Sequence, residues 1–289
     1  MVEDYEDIAD NFEQGKTEAW QCLSDFLENA NQIKVDTSRR PCPTCGASRS
    51  LYCFDCCRLL VVPSEEAACD IHLPFSVDLI LDDRRASATG VQAFTMLQQQ
   101  PGESPDKLTH HLFDQSKGEG ISDYTVTTTS FNPPQPQPGV YLLFPSEKSV
   151  GLSTVAPHVR RLVLLDCKWS KSNIRRDERL AVLPRVHLDG APSESFYWRW
   201  HNSGQGMLST IEAIYFAAWE VAAQHGWSLS QRKDLVYLLW IFAQQRALIR
   251  RQYEIGNGHR FIPHVPFSED AKAMARKLRE KGKEKRTMS

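Results

Sequence analysis

The sequence predicts an α/β protein with a small cysteine-rich module ahead of its sheet and a helical C-terminal third. Three observations carry this reading. Short apolar runs rich in Val and Leu alternate with polar stretches from residue 68 onward. Two C-x-x-C pairs lie close together before those runs, and apolar stripes at spacings of three and four occupy the last third. The 289 residues can bury a sizeable core as one large domain or as one domain with a small appendage. The expected divisions are an acidic helical extension over 1–38, a cysteine knuckle over 39–66, the main α/β domain over 67–255 and a C-terminal tail over 256–289 that is basic from 271.

The first element is an amphipathic helix over 17–33, where Trp20, Leu23, Phe26, Leu27 and Ala30 fall on one face for packing. Four of the eight cysteines follow as C-P-T-C, a seven-residue gap and C-F-D-C, with Gly46 just after the second. Two knuckles of this spacing present four thiolates tetrahedrally, so Cys42, Cys45, Cys53 and Cys56 are the expected ligands of one Zn²⁺. Cys57 adjoins the last of them, but the C-x-x-C geometry selects Cys56. With all four positions filled by thiolates the site is structural, and it fixes a segment with too few apolar residues to order itself.

Buried strands are expected at SVDLILD (76–82), VYLLFP (140–145), LVLLDC (162–167) and RVHL (185–188), as in an α/β sheet. The segment NPPQPQPG (132–139) is a stiff connector, because each Pro lacks an N–H and fixes φ. After Ser209, the residues Ile211, Ile214, Tyr215, Ala218, Trp219 and Ala222 form a helical stripe that stops at Gly226. A second helix is expected after Ser230, with Leu235, Leu238, Leu239, Phe242 and Ile249 on one side.

The net charge of −2 hides a division between the ends. Residues 1–30 hold nine acidic side chains against Lys16 alone, whereas 271–289 hold eight Lys or Arg against two Glu. Such a basic tail suits a phosphate-rich partner or nuclear import, and equally a solvated helix. No apolar run approaches the roughly 18 residues that cross a bilayer. The acidic start MVEDYEDIAD lacks the basic and apolar regions of a signal peptide. The expectation is an intracellular protein of the nucleus or cytoplasm with no membrane partner.

The segment RLVLLDCKWSKSNIRRDERL (161–180) runs a buried strand into Asp166, where open α/β sheets bind ligands, although a strand-end Asp also serves as a cap or turn residue. Ser209 and Glu212 fit a capping box, which gives the following helix an N-terminus suited to a carboxylate or phosphate. Lys171, Arg175, Arg176 and Arg199, the last between two tryptophans, suggest phosphate contacts with base stacking, against a solvated face with internal ion pairs.

These segments occur in a particular order: the cysteine knuckles, an LFPS strand end (143–146), an LD-x-x-W motif followed by DERL (177–180), W-R-W-H (198–201) and L-S-T-I-E-A (208–213). That order resembles the DTW-domain tRNA-uridine aminocarboxypropyltransferases, in particular their zinc-bearing eukaryotic branch. The resemblance spans about residues 40 to 255. It implies a SPOUT-like sheet with a knotted cofactor site, S-adenosylmethionine as co-substrate and tRNA as partner. It also implies cofactor contacts from Pro145, Ser146, Leu165, Trp169, Ser209, Thr210 and Glu212. Asp166 becomes the candidate catalytic residue, either as the base for uridine N3 or as the holder of the cofactor's ammonium group. The family motif D-x-T-W carries Thr where this chain has Lys168. A SPOUT-type methyltransferase and a non-catalytic zinc-bearing RNA-binding protein are the alternatives.

Overall fold

The computed structural model describes residues 3–33, 35–61, 71–98, 110–114, 137–167, 178–189, 192, 194–198 and 207–254. Helix α1 spans Glu3–Gln32, longer than the expected 17–33 because it begins well ahead of the apolar stripe. Ala19, Leu23, Leu27 and Ala30 recur at spacings of three and four and are buried. Trp20 on the same helix stacks on Phe196 with ring centroids 4.1 Å apart, and the Tyr215 hydroxyl donates to the Ala19 carbonyl at 3.0 Å. The acidic extension therefore shares the main core through its C-terminal half.

Two small antiparallel hairpins follow, β1 (Arg40–Pro41) with β2 (Ser48–Arg49) and β3 (Tyr52–Cys53) with β4 (Arg58–Leu59). The chain then enters a six-stranded sheet: β5 (Ser76–Leu81), helix α2 (Thr89–Leu97), β6 (His111–Asp114), β7 (Val140–Leu143) and β8 (Val150–Gly151). Helix α3 (Leu152–Val155), β9 (Arg161–Asp166), α4 (Glu178–Ala181) and β10 (Arg185–His187) complete it. The strand order is β6-β5-β9-β7-β10-β8 and every pair is parallel. All four strands expected from the apolar runs are present; α2, β6 and β8 were not expected.

Strands β5 and β9 pair from Ser76↔Arg161 to Leu81↔Asp166, at the centre of the sheet. Side chains alternate between the faces of a strand, so Leu162, Leu164 and Asp166 share one face while Val163 and Leu165 share the other. The first face carries the large core built with α1, α2 and the C-terminal helices. The second carries a smaller core of Ile80, Val140, Leu142, Val163, Leu180 and Leu183. Burial on both faces is why these strands read as continuous apolar runs. The charged exception on β5 is buried Asp78, which holds the Arg161 guanidinium and lies 2.8 Å from His111 Nδ1.

Helix α5 (Thr210–Gln224) starts at Ser209 and ends at Gly226, whose φ of +76° suits only a residue without a Cβ penalty. The single helix expected after Ser230 is instead α6 (Leu229–Asp234), a 3-10 stretch (Leu235–Leu239) and α7 (Trp240–Glu254). Its cap is Ser228, whose amide donates to the Gln231 side chain at 2.9 Å, so the start falls two residues earlier than expected. Among the described residues, no helix is long and apolar enough to cross a membrane.

Candidate metal centre and candidate active site

In each hairpin the second cysteine of a C-x-x-C pair is followed by a residue in the left-handed region, Gly46 with φ +71° and Cys57 with φ +48°. This turn closes the knuckle, with the Gly46 amide donating to the Cys42 carbonyl at 2.8 Å. It brings Cys42, Cys45, Cys53 and Cys56 into one group whose sulfurs lie within 4.8 Å of one another. Cys45 Sγ and Cys53 Sγ are 3.6 Å apart. A tetrahedral ion with metal–sulfur bonds of about 2.3 Å separates its sulfurs by about 3.8 Å, so the four donors fit a metal ion. Burial pushes the thiols of Cys53 and Cys56 up, and the crowding sulfurs add to it. At Cys42 burial also acts upward, but the amides of Cys45 and Thr44 outweigh it and bring the thiol to about 7. Cys57 is turned away into the large core, where burial pushes its thiol up to about 11.

The second site is a cavity of about 180 Å³ at the carboxyl ends of three adjacent strands. Leu143–Pro145 line it from β7, Leu164, Leu165 and Cys167 from β9, His187 and Leu188 from β10, and Leu208, Thr210 and Ala213 from the start of α5. This is where a parallel sheet presents residues to a ligand. The walls are mostly apolar; Cys167, His187 and Thr210 are the polar side chains among them.

Asp166 does not line the cavity. Its side chain is turned toward α2, where the carboxylate accepts from the Gly90 amide at 2.6 Å and from the Thr210 hydroxyl. Helix α2 has no cap from its own N-cap residue, Ala88, so Asp166 supplies that role from a distance. A Cβ on Gly90 would meet Asp166 Oδ2 at 2.7 Å and Leu79 Cδ2 at 2.5 Å, so only glycine allows this approach. Burial pushes the Asp166 carboxyl up to about 6 against the pull of Gly90 and Thr210, and the charge of Asp83 adds to the rise.

The other expected contacts divide. Pro145, Leu165 and Thr210 line the cavity. Ser146 sits just beyond it, its Oγ buried with no partner among the described residues. Glu212 is fully buried and its carboxylate accepts from Ser195 Oγ (2.6 Å), the Phe196 amide (2.7 Å), the Ser209 amide (2.9 Å) and Ser209 Oγ (2.5 Å). Its oxygens are thus taken by the chain itself, and Ser209 serves the same network; both tie the 194–197 segment to α5 rather than face the cavity. Lys168, Trp169, Lys171, Arg175, Arg176 and Arg199 lie outside the described residues, as does the basic tail. Sequence reasoning gave His187 and Cys167 no role. For Cys167 the available signal was a polar side chain just past the end of an apolar strand; His187, paired with Gly151 at the end of β10, had no such local signal.

The model of the DTW domain matches residues 50–247. A Mus musculus protein described as tRNA-uridine aminocarboxypropyltransferase 1 is 28% identical over 246 residues, covering 68% of this chain and 71% of that protein. Its Xenopus laevis namesake is 25% identical over 236 residues, covering 67% and 77%. No solved structure matches.

Proposed function

The chain belongs to the DTW-domain family, and from that premise we propose that it transfers the 3-amino-3-carboxypropyl group of S-adenosylmethionine to N3 of a uridine in tRNA, releasing 5′-methylthioadenosine. The observation that carries the proposal is the cavity, on which the strand-end motifs LFPS, LD-x-x-W and L-S-T-I-E-A converge from separate parts of the chain. The printed names of the relatives support the reaction type and the tRNA substrate. In this reading the three strand ends and α5 form the SPOUT-like knotted cofactor site.

The chemistry divides among these residues. Three carbons on the sulfonium are open to displacement, and the enzyme selects one by aligning it with the nucleophile. The apolar walls from Phe144, Leu165 and Leu188 suit the adenosine and its sulfur. Thr210, at the positive end of α5, faces the amino-acid arm, so the Cγ of that arm rather than the methyl is turned toward the uracil. Asp166 stands one side chain behind Thr210 and accepts its hydroxyl, so it acts on the arm through Thr210, whose oxygen is left to accept from the ammonium group, and does not take the uridine proton. Trp169 stacks on a base, and Lys171, Arg175, Arg176 and Arg199 contact phosphates. Cys42, Cys45, Cys53 and Cys56 hold one Zn²⁺ with no open position, so the ion shapes the fold and takes no part in transfer.

Mass spectrometry of the products after incubating the purified protein with S-adenosylmethionine and tRNA tests the proposal. 5′-Methylthioadenosine together with a uridine heavier by the aminocarboxypropyl group is the expected result. S-adenosylhomocysteine would make the protein a methyltransferase instead, and consumption of no co-substrate would leave it an RNA-binding protein.

A further inference from the structure

We infer that His187 is the general base of the transfer, accepting the N3 proton of the uridine at its Nε2 atom; the inference rests on the reaction proposed above. Uridine N3 carries a weakly acidic proton and is a poor nucleophile until that proton leaves. The group that takes it must touch the space where Cγ and N3 meet. Among the described residues lining the cavity, His187, Cys167 and Thr210 are polar, and Thr210 donates its hydroxyl to Asp166.

The tautomer of His187 follows from counting donors. Ser149 Oγ lies 2.6 Å from the Ser146 carbonyl, 3.0 Å from the Ser146 amide and 2.9 Å from His187 Nδ1. A hydroxyl has one proton and two acceptor positions. The proton belongs to the contact with the carbonyl, because two bare oxygens at that distance repel. Toward His187 the hydroxyl can then only accept, so Nδ1 carries the ring hydrogen and the lone pair of the neutral imidazole is on Nε2. Among the described residues Nε2 has no hydrogen-bond partner. The turn between β7 and β8 thus fixes the ring as a proton acceptor in the cavity wall, and Ser149 is its positioning residue.

The step balances without another reactant. The N3–H proton moves to Nε2, the N3 electron pair forms the bond to Cγ, and the Cγ–S bond breaks with its electrons returning to sulfur. The positive charge of the sulfonium ends on the imidazolium, which loses its proton to water. Ionisable groups on the elements packed around the ring are Asp166 and Cys167 at the end of β9, Glu212 on α5, Arg185 earlier on β10, Asp189 just after it, and Glu147 and Lys148 in the turn. Asp189 is engaged by the Ser153 amide at 2.7 Å, and the Arg185 guanidinium lies over the Phe144 ring.

Single-turnover formation of 5′-methylthioadenosine from the full-length protein, tRNA and S-adenosylmethionine, followed across pH, tests this. His187→Gln should bind S-adenosylmethionine within about threefold of wild type by calorimetry. It should form product at least about a hundredfold more slowly, the usual reach of a positioned base, and lose the acid limb of the rate profile. Imidazole added to His187→Ala should restore part of the rate, and Ser149→Ala should slow transfer less than either variant. A His187→Gln rate within threefold of wild type overturns the inference, as does an acid limb that survives in His187→Gln and vanishes in Asp166→Asn. A wild-type protein that forms no 5′-methylthioadenosine overturns the underlying reaction as well, which separates that failure from one confined to His187.

Discussion

The knuckle gathers its four sulfurs from residues 42–56, in two hairpins with strands of two residues each, whereas the cavity draws its walls from residues 143–213, on three long-range strand ends and a helix. The knuckle has no core of its own: its apolar residues Leu51, Tyr52, Phe54, Cys57 and Leu59 lean on the main core. The cavity needs no ligand to exist, because the sheet and α5 are held by burial on both faces. A ligand cluster close in sequence can wait for its ion to order it; a site assembled from distant segments must be built by the core first. The two regions should therefore fail differently when a functional side chain is removed.

The largest effect is expected at the knuckle. Cys53→Ser should abolish stoichiometric zinc by elemental analysis and cost several kcal/mol, lowering the thermal midpoint by roughly 10 °C, since metal binding and local folding are one process. Cys57→Ala is the contrasting variant: it removes a buried thiol in the core, so it should retain the ion while losing some packing stability. Loss of zinc in Cys57→Ala with retention in a Cys56→Ser protein would reassign the fourth ligand.

The same contrast governs what could be read from the sequence. The four-cysteine cluster was legible because C-x-x-C spacing is local, and the strands Ser76–Leu81, Val140–Leu143, Arg161–Asp166 and Arg185–His187 were legible because burial on both faces makes them largely apolar. Helix α2 escaped because every one of its residues is buried, including Gln92 and Thr95, so it has no polar face to set a period. Glu212 was read correctly as half of a capping box, but its further bonds to Ser195 and Phe196 join residues sixteen and seventeen positions away, and no local pattern encodes them. His187 was hidden for the same reason, since its partner Ser149 belongs to another strand connection.

A smaller effect, and one on stability alone, is expected from Glu212→Gln. An amide has a single acceptor oxygen, whereas the carboxylate accepts from four donors with two oxygens, and the amide's NH₂ group would face the Ser195 hydroxyl or the Ser209 amide. Leaving buried donors unsatisfied should cost about 2–4 kcal/mol in urea denaturation, while affinity for S-adenosylmethionine stays within a few fold. A tenfold loss of affinity at unchanged stability would return Glu212 to the cofactor site.

The smallest effect has the opposite sign, and it concerns Asp166. The unfolded chain loses this proton near 3.8, while the folded protein holds it up to about 6. Between those values the folded state binds more protons than the unfolded one, so stability falls as pH rises through the window; below it both states are protonated, and above it both are ionised and the penalty is constant. Asp166→Asn cannot ionise and keeps an oxygen for the Gly90 amide. Relative to wild type it should gain roughly 2 kcal/mol at pH 7 compared with pH 4, less than the full linkage value because Thr210 donates more strongly to a carboxylate than to an amide. Urea denaturation of both proteins at the two pH values measures the difference directly. A gap between variant and wild type that does not change with pH would mean that Asp166 is ionised without penalty in the folded state. The carboxylate would then be an ordinary helix cap for α2, and the fold would carry no cost for keeping a charge one side chain behind the cavity.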